Sequence, residues 1–282
     1  MTPLIIQKIY SLFFYIKVIL IKTAQFKDKY GQYALVAGGS DGLGAAFAEA
    51  IARRGLDLVL IARQEDRLKA TAARLKEIYK INVISFAADM ADYENVKKLI
   101  STLNVSIGLL IYNAAFAPIG LFKNTSEEHL ALATAVNVKA PLLLTRLLSA
   151  PMIQQKRGGI VLMSSLAGAQ GSPNIAAYAA TKSFNAILAE GLWKELKPYG
   201  IDVVACCAGA ILTPGYQKAE KTRLAPGTLK ASEVAEQTLD ALGNGPVIIP
   251  GAINKIGHFV LTRLFSRKAA INIMSKNTKG LS

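Results

Sequence analysis

The chain has 282 residues, 52% of them hydrophobic, which is enough for one large domain with a sizeable core. Its net charge of +14 is concentrated at the two ends, and this distribution argues against a nucleic-acid groove. Four lysines and no acidic residue precede Asp28, and six Lys or Arg and no acidic residue follow Asp240. Both ends are also rich in Leu, Ile and Phe, a combination typical of contact with an anionic membrane surface.

The first 29 residues form a separate apolar and basic segment. The apolar run 4–21 is interrupted by Lys8 and Lys17, whereas a clean spanning helix has about 20 apolar residues. No small-residue cleavage site follows it, which argues against a removable signal peptide. We predict an interfacial or poorly spanning membrane anchor at 1–29. The alternative is a helix folded back on its own domain or on a sister subunit.

Short apolar runs alternate with helical patterns from residue 33 to residue 250. The predicted strands are 33–37, 56–62, 82–87, 107–113, 159–164, 201–208 and 247–250, and the clearest helical patterns are 43–53, 67–79, 96–103 and 179–196. Strands that are apolar throughout are expected in a parallel sheet that helices cover on both faces. We therefore predict one doubly wound α/β domain of the Rossmann type at 30–251, with about seven strands, followed by a basic amphipathic tail at 252–282.

The turn after the first strand reads Gly38-Gly39-Ser40-Asp41-Gly42-Leu43-Gly44 and leads into a helix. Glycines there let the backbone approach a pyrophosphate closely, and the helix N-terminus offers free N–H groups. The sequence thus predicts a dinucleotide site that includes Gly38, Ser40, Gly42, Leu43 and Gly44.

Arg63 follows the second strand, where an NAD site usually has a carboxylate for the ribose hydroxyls. A guanidinium at this position would pair with a 2′-phosphate and gain little from a bare ribose. Arg63 therefore favours NADP(H) as the cofactor. The alternative is a solvated arginine that begins a helix.

Tyr178 and Lys182 are four residues apart in a helical pattern, and this spacing places them on one face. A nearby ammonium favours the phenolate, so we expect Lys182 to lower the pKa of Tyr178 into a useful range for acid–base catalysis. Ser165 ends a preceding strand at the edge where an α/β sheet binds ligands.

Together these motifs resemble the short-chain dehydrogenase/reductase family over residues 33–251, most of the chain. The resemblance implies an oxidoreductase in which Ser165, Tyr178, Lys182 and Asn137 are catalytic. It also implies cofactor contacts from Tyr178, Lys182 and four further residues, among which Asp89 meets the adenine and Thr213 the nicotinamide carboxamide. These four are Asp89, Asn113, Gly209 and Thr213. No metal is implied.

The implied roles follow the chemistry of the side chains. Ser165 would stabilise the developing charge on the substrate oxygen, and Tyr178 would deliver or remove the hydroxyl proton. Lys182 would hold the nicotinamide ribose, and Asn137 would position a water that links Lys182 to solvent. The hydride transfer belongs to the cofactor.

Four supporting positions depart from the family pattern, and they put cofactor affinity rather than chemistry in doubt. Ala37 replaces a threonine, Tyr112 an asparagine, Ala115 a glycine and Ala208 a proline.

Softer local matches, at Asp41 in the glycine-rich turn and in the runs 76–80 and 107–111, resemble a branch that contains hydroxysteroid dehydrogenases and 3-oxoacyl-CoA reductases, many of them anchored at the N-terminus. The resemblance implies an NADPH-dependent reductase of a lipid-like or steroid-like ketone or 3-oxoacyl group, or the reverse alcohol oxidation. We expect a homo-oligomer, either cytoplasmic or associated with a membrane on its reducing, cytoplasmic face. A substrate lid is predicted at 212–229, with Tyr216, Lys218, Lys221 and Arg223 as either head-group contacts or ordinary solvated residues. The alternative function is a catalytically idle NADP-binding sensor or membrane scaffold.

Overall fold

The computed structural model of the protein describes residues 23–213 and 224–278. The apolar run of the predicted N-terminal anchor lies outside the described residues, and so do the four side chains named for the predicted lid. The predicted catalytic domain and most of the C-terminal segment lie within them.

A parallel seven-stranded sheet forms the centre of the molecule and confirms the predicted fold class. Its strands are β1 Tyr33–Ala37, β2 Asp57–Ala62, β3 Val83–Ala87, β4 Ile107–Tyr112, β5 Gly158–Ser165, β6 Ile201–Ala208 and β9 Val247–Ile248. Between the last two, a separate short pair joins β7 Ile211–Leu212 to β8 Leu229–Lys230. The spatial order of the sheet is β3-β2-β1-β4-β5-β6-β9, and every neighbouring pair in it is parallel. The chain reverses direction across the sheet between β1 and β4, and this switch point opens the crevice where such sheets bind ligands.

Helices cover both faces of the sheet. They are α1 at 23–30, α2 Gly42–Arg53, α3 Glu65–Tyr79, α4 Tyr93–Ser101, α5 Glu127–Thr134, α6 Ala140–Gln155, α7 Ala176–Leu196, α8 Ala231–Ala241, α9 Ala252–Phe259 and α10 Arg267–Thr278. Alternate residues of β1 enter opposite cores: Val36 packs in one and Leu35 in the other, both fully buried. This two-sided burial explains why the strand sequences are apolar throughout.

A π-helical turn, Ala135–Lys139, joins α5 to α6. Among the described residues, the run Glu127–Gln155 that contains it is the one helix long and apolar enough to cross a membrane. Its Leu144 and Leu148 are buried against the sheet, so we assign it to the core of the domain.

The described parts of the segments that flank the predicted domain, 23–29 and 252–278, are part of the folded body. The predicted boundary at 29/30 falls inside α1, where Lys29 forms a 2.6 Å ion pair with Asp202 and Tyr30 is buried. The predicted tail contains α9 and α10, and Arg267 of α10 donates to the carbonyl of Ala169 beside β5. Both segments pack on the domain because their apolar side chains complete its surface.

Candidate functional site

The glycine-rich turn between β1 and α2 brings three backbone segments into close contact. Gly38 and Gly42 have φ angles of +80° and +53°, which strain other residues. A Cβ on Gly44 would lie 1.8 Å from the carbonyl oxygen of Gly38, so this position excludes every larger residue. Asn113, at the end of β4, donates to the same carbonyl over 3.1 Å. The turn is therefore shaped by the backbone approach that a dinucleotide site needs.

A cavity of about 320 Å³ opens beside this turn at the carboxyl ends of β1, β2 and β4. Its lining includes five of the predicted cofactor residues: Gly38, Ser40, Arg63, Asp89 and Asn113. The side chain of Arg63 is exposed there. These residues fit the adenosine half of a dinucleotide, because polar side chains and the glycine-rich turn border the same cavity.

Two residues that the sequence analysis did not name organise this corner. Arg67 pairs with Asp41 over 2.8 Å, and Thr71 donates to the carbonyl of Ser40 over 3.0 Å. Asp41 also accepts from the N–H of Gly42, which caps α2. Arg67 lies in the first turn of α3, four residues after Arg63, and this closeness in sequence could have indicated its place.

The remaining predicted cofactor residues take different positions relative to this cavity. Leu43 is buried in the core behind the turn, whereas Gly209 lines a second cavity after β6. The methyl group of Thr213 would lie 3.2 Å from a Cβ on Gly42, so the turn after β6 faces the glycine-rich turn.

Ser165, Tyr178 and Lys182 meet at the carboxyl end of β5. Ser165 and Tyr178 both line the second cavity, and the Ser165 hydroxyl is near enough to lower the pKa of Tyr178. Lys182 is 3% exposed, and its Nζ donates to the carbonyl of Met163 over 2.9 Å. The same Nζ lies 5.5 Å from the centre of the Tyr178 ring. The spacing of four on α7 thus places both groups on one face, as predicted.

The pKa values at this group depart from the sequence-based expectation. Burial raises the pKa of Tyr178, and the hydrogen bond from Ser165 acts in the opposite direction. The expected lowering of this pKa by Lys182 is therefore wrong for the protein alone. Burial also lowers the pKa of Lys182 to about 8, which reduces the charge that the lysine could present to the phenol.

Asn137 lies fully buried in the π-helical turn, and its side chain is committed to protein partners. Its Nδ2 donates to the carbonyl of Phe116 over 2.7 Å and to Thr181 Oγ1 over 3.0 Å. Its Oδ1 accepts from the N–H of Phe116 over 2.8 Å. Both amide donors are used, so the side chain joins the loop after β4 to α7. The predicted water contact of Asn137 stays a prediction.

Tyr112 has a structural role that its departure from the family pattern did not reveal. The N–H of Ala140 bonds the carbonyl of Ala135, five residues back. Pro141 follows and has no N–H, so it cannot donate to the carbonyl of Val136, five residues before it, or to that of Asn137, four residues before it. The Tyr112 hydroxyl donates to the Val136 carbonyl over 2.5 Å instead. Tyr112 therefore completes the hydrogen bonding of the turn that holds Asn137.

The second cavity has a volume of about 570 Å³ and a largely apolar wall. Ser165 and Tyr178 lie on one side, and α9 and α10 contribute Leu261 from the turn between them, Met274 and several other residues on the other. Asn254 of α9 is buried in this wall and donates to the carbonyls of Gly227 and Pro250 over 3.0 and 2.9 Å. The C-terminal helices thus complete a cavity suited to an apolar substrate.

Comparison with known proteins gives a consistent result. The sequence model of the short chain dehydrogenase family matches residues 32–224. The very-long-chain 3-oxoacyl-CoA reductase of Phaeosphaeria nodorum is 34% identical over 224 residues, which are 76% of this chain and 64% of that reductase. The chain therefore spans slightly less than two thirds of the length of this curated relative.

Solved structures are similar over more of their length. A structure from a study of 7beta-hydroxysteroid dehydrogenase stereoselectivity has a TM-score of 0.83 and 25% identity, covering 88% of this chain and 98% of that one. A short-chain dehydrogenase from Sphingobium yanoikuyae, in complex with NADPH, has a TM-score of 0.71 and 31% identity. That alignment covers 78% of this chain and 87% of the other.

Proposed function

Because the chain belongs to the short chain dehydrogenase family, we propose that it reduces a ketone or 3-oxoacyl group of a lipid-like or steroid-like substrate with NADPH. The matching secondary alcohol would be oxidised in the reverse direction. The observation that carries the proposal is that Ser165 and Tyr178 lie together in the wall of an apolar cavity. The names of the similar proteins, a 3-oxoacyl-CoA reductase and a 7beta-hydroxysteroid dehydrogenase, support this substrate class.

The proposed mechanism assigns the proton to Tyr178. Burial raises the pKa of its hydroxyl, which therefore stays protonated at neutral pH and can donate to a substrate carbonyl oxygen. Ser165 hydrogen-bonds the same oxygen and stabilises the charge that develops on it. The cofactor, when bound, supplies the hydride. A protonated Tyr178 favours reduction as the direction that this site performs.

Lys182 and Asn137 have supporting roles in this proposal. Lys182 directs its ammonium to the Met163 carbonyl and keeps further donors for a ribose hydroxyl. With a pKa of about 8, it gains or loses its proton near neutral pH. Asn137 anchors the loop after β4, and its carbonyl, which Pro141 cannot satisfy, is the proposed contact for a water that exchanges protons with solvent.

Substitution of Tyr178 tests the function. We expect Tyr178→Phe to lower ketone reduction at least about 100-fold, because it removes the proton donor and nothing else. NADPH binding, followed by cofactor fluorescence, should persist, and the exposed Tyr199→Phe should keep full activity. Turnover retained by Tyr178→Phe would refute the mechanism. A wild type that binds NADPH yet turns over no ketone, steroid or 3-oxoacyl-CoA would support the idle sensor or scaffold.

NADP(H) is the proposed cofactor because Arg63 and Ser40 border the same cavity. We expect Arg63→Asp to weaken NADPH binding by more than about tenfold and to leave NADH binding much less affected, since it places a carboxylate beside the 2′-phosphate. Titration of both cofactors by fluorescence measures the two effects. Lys76→Asp, on helix α3 and outside the lining of this cavity, is the control. An equal loss for both cofactors would contradict the assignment.

We propose in addition that the protein forms a homo-oligomer and that it contacts the cytoplasmic face of a membrane. Ile187 of α7 is 64% exposed and is accompanied by Phe184 and Leu188 in a shallow apolar groove, which supports contact between copies of the chain. The apolar and basic ends of the sequence support the membrane contact. Cys206 is buried, Cys207 is half-buried and both are unbonded, as a reducing compartment would keep them.

A further inference from the structure

Five large apolar side chains are exposed on α9 and the segment that follows it. Their exposed fractions range from 45% for Phe265 to 68% for Leu264. The set is Ile253, Ile256, Phe259, Leu264 and Phe265. Ile253, Ile256 and Phe259 are spaced by three residues along α9, which puts them on one side of the helix. Isolated exposed apolar residues are ordinary, but five within 13 residues form a patch that implies a partner.

Cationic side chains surround this patch. Lys255, Arg263, Arg267 and Lys268 are all exposed, and residues 241–282 contain no acidic residue. A second copy that met this face across a twofold axis would bring like charges together, which disfavours self-association there. An anionic lipid surface matches both features, since it accepts apolar side chains below its headgroups and cations among them.

The second cavity, which is proposed to hold the substrate, lies directly behind α9. Asn254, Gly257 and His258 of α9 line the cavity, whereas Ile256 and Phe259 point away from it. Ile253 belongs to both sets, because it lines the cavity and is 63% exposed. The edge of the cavity is therefore continuous with the exposed apolar patch.

We propose that α9 and the following turn, residues 252–268, are a docking surface for anionic lipid bilayers that brings the mouth of the substrate cavity to the headgroup layer. This inference deepens the membrane contact proposed above by naming the surface and the lipid charge. It assigns the apolar residues to insertion and the four cations to the headgroups. A lipid-like substrate would then enter along Ile253 without crossing water.

Site-specific probes on the full chain test the proposal independently of residues 1–22. Leu264→Cys and Phe259→Cys are labelled with an environment-sensitive fluorophore, and Ile78→Cys, 55% exposed on α3, is the matched control. The labelled wild type, whose Cys207 is half-buried, sets the background. With vesicles of phosphatidylcholine and phosphatidylserine, emission at 259 and 264 should rise and shift to the blue, and emission at 78 should not change.

Charge dependence is tested with Lys255→Gln/Lys268→Gln. If each cation contributes as a surface lysine does, affinity for the anionic vesicles should fall about 30-fold. Lys97→Gln/Lys98→Gln, on the exposed side of α4, should leave that affinity unchanged. None of these residues belongs to the candidate catalytic site, so NADPH-dependent reduction of a water-soluble ketone without vesicles should be equal in all variants.

Three outcomes would overturn the proposal. In the first, the chain floats with vesicles while the probes at 259 and 264 stay in water. In the second, the probes respond equally to vesicles of phosphatidylcholine alone. In the third, the probes are shielded without lipid and the mass measured by light scattering doubles, which assigns the face to a second copy. Absence of ketone reduction in the wild type would instead contradict the proposed function and leave the lipid result to be judged by the probes.

Discussion

Lys182 has the least favourable position for a charge at the candidate site, because it is 3% exposed and burial lowers its pKa from 10.5 to about 8. The unfolded chain retains the ordinary value. Below pH 8 both states carry the proton, and the full cost of burying the ammonium is present. Between pH 8 and 10.5 the folded protein has lost the proton while the unfolded chain keeps it. The stability of the wild type therefore rises across this window relative to a chain with a neutral residue here.

Lys182→Met should accordingly stabilise the protein at pH 6.5 by about 2 kcal/mol, because the gain from removing a buried charge exceeds the loss of one hydrogen bond to Met163. The same substitution should abolish activity. The advantage should shrink toward zero as the pH rises through 8 to 10. Urea unfolding of the protein without cofactor, at several pH values, measures it. Lys97→Met on the surface of α4 is the control. A difference that does not vary with pH would contradict the burial argument.

At the scale of elements, we expect the effects of Tyr112 and Pro141 on stability to be coupled, because both act on the hydrogen bonding of the π-helical turn. Tyr112→Phe leaves the buried carbonyl of Val136 without its donor, and the free energy of unfolding should fall by about 1–3 kcal/mol. Pro141→Ala restores an N–H at the position that can reach this carbonyl. The second substitution should therefore recover stability when it is combined with Tyr112→Phe and should not do so in the wild type.

A double-mutant cycle by urea unfolding measures this coupling. Tyr93→Phe is a matched control: the Tyr93 hydroxyl also donates to a carbonyl of α6, that of Leu143, over 3.3 Å. Leu147 lies four residues after Leu143 and has an N–H of its own to offer, so the loss should be small and independent of Pro141. Additive effects of Tyr112→Phe and Pro141→Ala would refute the hydrogen-bond account.

These elements also mark what could be predicted from the sequence. The seven strands of the main sheet were predicted within two residues of their ends, because burial on both faces leaves an apolar run that short-range patterns reveal. The short pair of β7 and β8 was not predicted. The pairing of Tyr178 with Lys182 was predictable from helical spacing alone. The sequence analysis named no helix at Ala140–Gln155, where Pro141 and Pro151 interrupt the helical pattern. The contact of Tyr112 with Val136, 24 residues away, depends on the tertiary fold.

Long-range packing accounts for the other differences at the whole-molecule scale. No local pattern relates α10 to the segment before α7, yet Asn174 in that segment donates to the carbonyl of Thr278 across 104 residues. The predicted domain boundaries followed composition, which changes near residues 29 and 251. The folded body instead includes α1 and the C-terminal helices, because their partners lie far away in the sequence. The helices that carry the cations therefore also form part of the wall of the second cavity.

The position of α1 sharpens the test of the N-terminal anchor. Deleting residues 1–22 removes the apolar run and keeps α1, whereas deleting 1–29 also removes the ion pair of Lys29 with Asp202 and the edge-to-face contact of Phe26 with Tyr30. We expect the shorter deletion to change the free energy of unfolding by less than about 0.5 kcal/mol and the longer one to lower it by about 2 kcal/mol or more. Urea unfolding measures both, and Phe26→Ala in the full chain should reproduce part of the larger loss.

The same pair of deletions separates the two membrane contacts. If residues 1–22 provide the anchor, their removal should abolish sedimentation with neutral phosphatidylcholine vesicles. Binding to anionic vesicles should persist at low salt through the docking surface at 252–268 and should weaken as salt screens its cations. Equal stability of the two deletions would show that α1 is dispensable. Loss of binding to both kinds of vesicle after removal of 1–22 would leave the docking surface without a function of its own.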